Sequence, residues 1–141
     1  MRYICDAPGD KTWFRLETTE EAAAESVAMR HAVEKHFCRE MEKAKRSYQP
    51  ASKTFIEQEI GLKAHILREM PLFLTLRDPE GTALVTAMLP PGGREDAAFR
   101  VIIVGPDNGD PYPDHGPAIE ALGRRLGLSL ERSRCFPYQR Q

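Results

Sequence analysis

Val101-Ile102-Ile103-Val104 is a continuous apolar run that stops at Gly105 and opens into Pro106-Asp107-Asn108-Gly109-Asp110. A strand without polar alternation has both faces covered, so this run is predicted to lie centrally in a sheet, its carboxyl end at that loop. In α/β sheets such loops are where ligands are most often held, which makes residues 105–117 the first segment to search for a site.

Downstream, Pro117 suits the first position of a helix with Ile119, Leu122 and Leu126 on its apolar face. Gly127 closes that helix, and Arg124 and Arg125 occupy its last turn. Residues 128–135 place Leu128, Leu130, Arg132 and Arg134 on one face, which predicts a final edge strand protected by charge. Upstream, residues 72–76 and 82–89 read as strands joined by Asp78-Pro79-Glu80-Gly81, a type I turn. At the amino end, Tyr3-Ile4-Cys5 and residues 12–16 flank Ala7-Pro8-Gly9-Asp10, where Pro then Gly suits a type II hairpin turn.

Between them lies the longest predicted element, one helix over residues 20–48. Thr18 and Glu21 match a capping box, Lys43, Lys45 and Arg46 complement the dipole at the far end, and Pro50 stops it. Ala22, Met29, Val33, Phe37, Met41, Ala44 and Tyr48 fall on one stripe, with Glu25, Arg39, Glu42, Lys43 and Arg46 away from it. Such a helix would run ~43 Å, longer than a compact domain of this size is wide, so part of it should overhang, bend or pack on another chain. Residues 52–70 follow. Thr54 and Glu57 form a second capping signal, and Phe55, Ile56, Ile60, Leu67 and Met70 suit a broad helix face ended by Pro71. Residues 61–68 also alternate as a strand would; helix is the favoured reading. The order is β-β-α-α-β-β-β-α-β: a single α+β domain over residues 1–141, with a mainly antiparallel sheet, a long amphipathic first helix and a C-terminal β-α-β unit.

A chain of 141 residues can bury a core without staples, and its apolar and charged content is that of an ordinary globular protein. No apolar stretch is long enough for a membrane span, and Asp6 arrives too soon for a signal-peptide apolar region. Cys5, Cys38 and Cys135 are odd in number and far apart, the pattern of reduced thiols in a cytoplasm. The net charge of −1 hides a segregation: residues 35–53 hold six basic and two acidic side chains, residues 117–141 five and two.

The acidic loop offers Asp107, Asp110, Asp114 and His115 as candidate catalytic or metal-ligating residues, since carboxylates bind hard cations and an imidazole can carry protons. The spacing is not that of an EF-hand, and the same residues are those any turn uses. His36 and Glu40 share a helix face with no third ligand in register, and His31 and Cys38 are two turns apart, so no metal site and no cofactor is expected. Nucleophile elbows, phosphate-binding loops and Cys-x-x-Cys pairs are absent. Arg124, Arg125, Arg132 and Arg134, with Arg140, Phe136 and Tyr138, could meet phosphates and bases, against which stands a pI of about 6.4.

Three readings follow. The leading one is a small cytoplasmic binding or regulatory protein that associates with a copy of itself or a protein partner through Val33, Phe37 and Met41. The second is an enzyme or small-ligand binder using residues 105–117. The third is a nucleic-acid accessory protein working through the basic C-terminal arginines.

Overall fold

Pro8 and Gly9 turn the chain back on itself, with Gly9 at φ 80° and Asp10 at φ 58°, and the hairpin forms as the sequence predicts. The computed structural model describes residues 1–50 and 54–138. Strands β1 (Arg2–Ala7), β2 (Lys11–Arg15), β3 (Leu72–Arg77), β4 (Ala83–Leu89) and β5 (Ile102–Val104) form one antiparallel sheet in the order β1-β2-β3-β4-β5. Helices α1 (Thr19–Met29), α2 (Val33–Ser47) and α3 (Phe55–Glu69) are inserted between β2 and β3, and α4 (Tyr112–Leu126) follows β5.

Both faces of the sheet are covered. On one face Trp13, Leu74, Leu76, Val85, Ala87 and Ile103 pack with Ala118, Ile119 and Leu122 of α4, and the buried Trp13 indole donates to the Ala118 carbonyl at 2.9 Å. On the other, Phe73 meets Phe37 of α2 edge-on at 5.2 Å between ring centroids, within a second cluster that includes Leu16, Ala22, Val33 and Met70. Double coverage explains the near-continuous apolar runs of β3 and β5. The inference from such a run to a central position fails, however. β5 is an edge strand, paired to β4 on one side and, among the described residues, only bridged on the other to Phe136, whose N–H donates to the Val101 carbonyl at 2.8 Å. A strand can be covered on both faces without having a neighbour on both sides.

The predicted strand over residues 128–135 is an irregular segment with a 3-10 turn at Arg132–Arg134. Its backbone bonds run locally, Arg134 N–H to the Glu131 carbonyl at 2.9 Å, while Leu130 and Cys135 bury themselves beside α4. The C-terminal β-α-β unit is therefore strand, helix and an edge-covering coil. α4 begins one turn earlier than Pro117 predicts, kinks at His115 (φ −129°), and ends as expected at Gly127 in the left-handed region (φ 73°).

The single long helix is two. α1 ends at Arg30, which adopts a left-handed φ of 55°, and the His31 N–H reaches back to the Ser26 carbonyl at 3.2 Å. That closure normally falls to Gly. The Ser26 hydroxyl then accepts the Glu34 N–H at 2.9 Å, so one serine terminates α1 with its carbonyl and supports the first turn of α2 with its side chain. The break resolves the excess length, leaving helices of 11 and 15 residues. Among the described residues, no helix is long and apolar enough to cross a membrane.

Candidate functional site

The α1–α2 break, β4 and β5 enclose a pocket of about 380 Å³. Thr86 and Met88 of β4 and Ile102 and Val104 of β5 project from the sheet face that carries α1 and α2 as its floor, with Phe73 beside them. His31, Ala32 and Val33 of the break and His36 of α2 form one wall, Asn108 of the post-β5 loop another, and Phe136 and Pro137 close the sheet-edge side. The lining is mostly apolar, and among the described residues it contains no Asp, Glu, Lys or Arg.

A buried polar chain stands behind the pocket. Glu25 of α1 is 0 % exposed. Its carboxylate accepts from Arg77 at 2.7 Å and from the Thr86 hydroxyl at 2.6 Å. Arg77 also donates to the Thr75 hydroxyl at 3.0 Å and to the Gly81 carbonyl at 3.1 Å. His31 Nε2 lies 2.9 Å from the Thr86 oxygen, and the Val33 N–H points at His31 Nδ1 from 3.4 Å. With the hydroxyl proton given to Glu25 and Nδ1 accepting from Val33, the consistent assignment puts the remaining imidazole proton on Nε2, donated to Thr86. Both nitrogens of His31 and the hydroxyl of Thr86 are thus engaged in holding the wall.

Burial lowers the pKa of His31; its own backbone and Glu25 oppose the shift, and His36 adds to it. His36 shifts the same way through burial and neighbouring Arg39 and Lys35, against Glu40, and His115 through burial and Lys11, against Asp114. A folded pKa below the unfolded value of 6.5 means that the unfolded chain takes up protons first. Stability is therefore full above about pH 6.5 and falls as the pH drops from there through the folded-state values. Urea denaturation between about pH 7.5 and 5 should show this decline, with a shallower slope in His31→Gln.

His36 carries a second feature: its Nδ1 is buried and has no hydrogen-bond partner among the described residues. A buried polar atom without a partner costs roughly 1–3 kcal/mol. Strain gathers here as well. Of the non-glycine residues with positive φ, Arg30 (55°), Asp107 (58°) and Asn108 (59°) all flank the pocket. Arg30 and Asp107 form a two-pronged ion pair at 2.7 and 2.6 Å that ties the helix break to the loop after β5. Each shifts the other's pKa through that hydrogen bond, Asp107 down and Arg30 up. Residues held in sparsely populated backbone regions cluster at binding and catalytic sites.

The candidate residues read from the sequence scatter around this pocket. Asp107 is spent on Arg30, Asp110 on Arg132 at 2.7 Å and on the Tyr112 N–H at 3.0 Å, and His115 lies 3.2 Å from Lys11. Asp114 sits exposed in the first turn of α4. The loop carboxylates face separate partners instead of one centre, and among the described residues no three His, Cys, Asp or Glu side chains group as a metal site. Val33 and Phe37 point into this chain's own core and Met41 is partly buried against it, so the proposed docking stripe is turned inward. Three exposed large apolar side chains, Phe55, Ile56 and Ile60, lie instead on α3, and Val27 of α1 and Tyr3 of β1 are exposed as well. In the basic segment Arg124 pairs with Glu120, Arg132 with Asp110 and Arg134 with Glu95, leaving Arg125 near Cys5. Arg140 lies outside the described residues.

Sequence reasoning missed Glu25 and Thr86; it named Asn108 only as part of the loop after β5 and Phe136 only as a side chain that could stack on bases. The sequence reading places Glu25 on the solvated face, yet it is buried with Ala22 and Met29, three residues before it and four after it. That helical spacing was the available signal. Thr86 carried none. In comparisons with protein-family models, curated proteins and solved structures, nothing matches this chain.

Proposed function

We propose that this protein binds a small, uncharged, largely apolar molecule in the pocket between the α1–α2 break and β4–β5. The observation that carries this reading is the cavity itself: about 380 Å³, apolar in its walls, with a few polar groups at its edge. Those are the ordinary dimensions and chemistry of a small-molecule site. The strained, ion-paired Arg30–Asp107 link and the Glu25–Thr86–His31 chain support it, because both hold the walls in place before any ligand arrives. Binding is favoured over catalysis, since Thr86 and His31 are already committed to one another and to the backbone. In this reading the loop after β5 borders the site through Asn108, and Asp107 serves as a strut to Arg30 and not as ligand or base. Three free thiols, two of them buried, fit a reducing compartment such as the cytoplasm.

A screen of neutral aromatic fragments by thermal shift tests this. A hit present at 100 times its Kd should stabilise the protein by about 2.7 kcal/mol. Ala32→Trp, which adds bulk at an exposed wall position, should abolish that shift without lowering the stability of the free protein. Hits that stabilise wild type and Ala32→Trp equally would move the site elsewhere.

A further inference from the structure

We propose that two copies of this chain pair through α3, packed antiparallel about a two-fold axis near Gly61. The inference is independent of the pocket beside the α1–α2 break. No residue of α3 is buried, and near its start Phe55, Ile56 and Ile60 are each at least 66 % exposed. At 100° per residue, Phe55, Ile56, Glu59, Ile60, Lys63 and Leu67 share one half of the helix circumference. Three large apolar side chains together in water gain free energy when a partner covers them.

The partner is read from the other end of the same helix. Leu62, Ile66 and Leu67 of α3 and Met41 of α2 line an open groove of about 410 Å³, rimmed by Glu59 and Lys63. The helix thus presents apolar projections at its start and an apolar recess along its second half. An isologous two-fold needs that kind of self-complementarity. Antiparallel pairing about Gly61 lays Phe55 and Ile56 of one copy over Ile66 and Leu67 of the other, at both ends of the contact. A parallel pair would set projection against projection and leave both recesses open.

Charge selects the same arrangement. Glu57 and Glu59 stand in the first half of α3, and Lys63 and Arg68 in the second, where Arg68 also meets its neighbour Glu69 at 3.6 Å. Glu59 and Lys63 lie two residues either side of Gly61, so the axis sets each against its opposite on the second copy, twice over. Neither has an ion-pair partner among the described residues. Parallel pairing would instead oppose Glu59 to Glu59 and Lys63 to Lys63. The acids beside the apolar side chains also disfavour an anionic lipid surface.

The experiment is sedimentation velocity of the full chain at low ionic strength. A single helix pair is at the small end of interface sizes, so dimer should grow in between about 10 and 500 µM. Phe55→Ala should weaken association about tenfold while leaving the urea midpoint of the dilute monomer unchanged. Glu59→Lys and Lys63→Glu should each weaken it about tenfold or more, because each creates two like-charge contacts. The double variant Glu59→Lys/Lys63→Glu should recover dimer to within about threefold of wild type. Failure of the double variant to recover would overturn the antiparallel arrangement, as would growth beyond dimer. Dimer indifferent to all four changes would place the interface elsewhere and overturn the proposal. So would a chain that stays monomeric at about 500 µM; co-sedimentation of that monomer with phosphatidylcholine vesicles would then assign the face to a lipid surface.

Discussion

Glu25→Ala is expected to cost about 3–5 kcal/mol of folding stability, the penalty for breaking a buried ion pair by removing one partner. The carboxylate is fully buried, and Arg77 beside it is 18 % exposed, so solvent does little to screen the charge left behind. The loss extends along the chain: the Thr86 hydroxyl loses its acceptor, and its hold on His31 Nε2 is no longer fixed in direction. Against a typical total of about 5–15 kcal/mol, such a change brings a small domain near its unfolding threshold. Glu25→Gln retains acceptor oxygen and volume while removing the charge, and it should fall between wild type and Ala. Urea midpoints at constant slope measure all three. A cost for Glu25→Ala below about 1 kcal/mol would mean that water reaches the carboxylate, and the wall of the pocket would then lack its fixed support.

Phe37→Ala should lose about 3–5 kcal/mol by the same measurement, through lost burial and the cavity left against Phe73. Phe37 is 1 % exposed and packs with Val33, Ala44 and Met70 as well as with the Phe73 ring. Phe55→Ala on α3, where the ring is 72 % exposed, should stay within about 0.5 kcal/mol of wild type. The pair of variants separates two roles for an apolar helix residue. A docking residue lowers association and leaves the monomer's stability alone; a core residue does the reverse. If Phe37→Ala unfolded at the wild-type midpoint while sedimentation showed a dimer falling to monomer, the association reading of Phe37 would stand and its place in the core would not.

The hairpins, the stretches that form helix and the antiparallel pairing were legible because their signals are local. Pro8-Gly9 and Asp78-Pro79-Glu80-Gly81 set their turns by backbone chemistry alone, and Thr18–Glu21 and Thr54 mark helix starts with bonds that span three residues. The break at Arg30 was illegible for the same reason. No Gly, Pro or Asn stands there; Ser26 closes α1 with its carbonyl and supports α2 with its hydroxyl, and Asp107 after β5 and Thr86 on β4, through His31, touch the break from distant parts of the chain. The segment after α4 misled in the opposite direction. Leu128, Leu130, Arg132 and Arg134 alternate as a strand does, but Asp110 and Glu95 draw the arginines away from the sheet edge.

By itself, then, the sequence determined the class of fold, the turns and the covered faces of the strands. All of these depend on neighbours within a helical turn or a hairpin. Only the tertiary structure decided the strand order that leaves β5 at an edge, the burial of Glu25, and the meeting of His31, His36, Thr86, Asn108 and Phe136 around one cavity. Those residues come from the α1–α2 break, one helix, a strand, a loop and the C-terminal segment. Their contacts are separated by up to a hundred residues of chain, and no periodicity or spacing within one segment records which distant side chain will stand opposite.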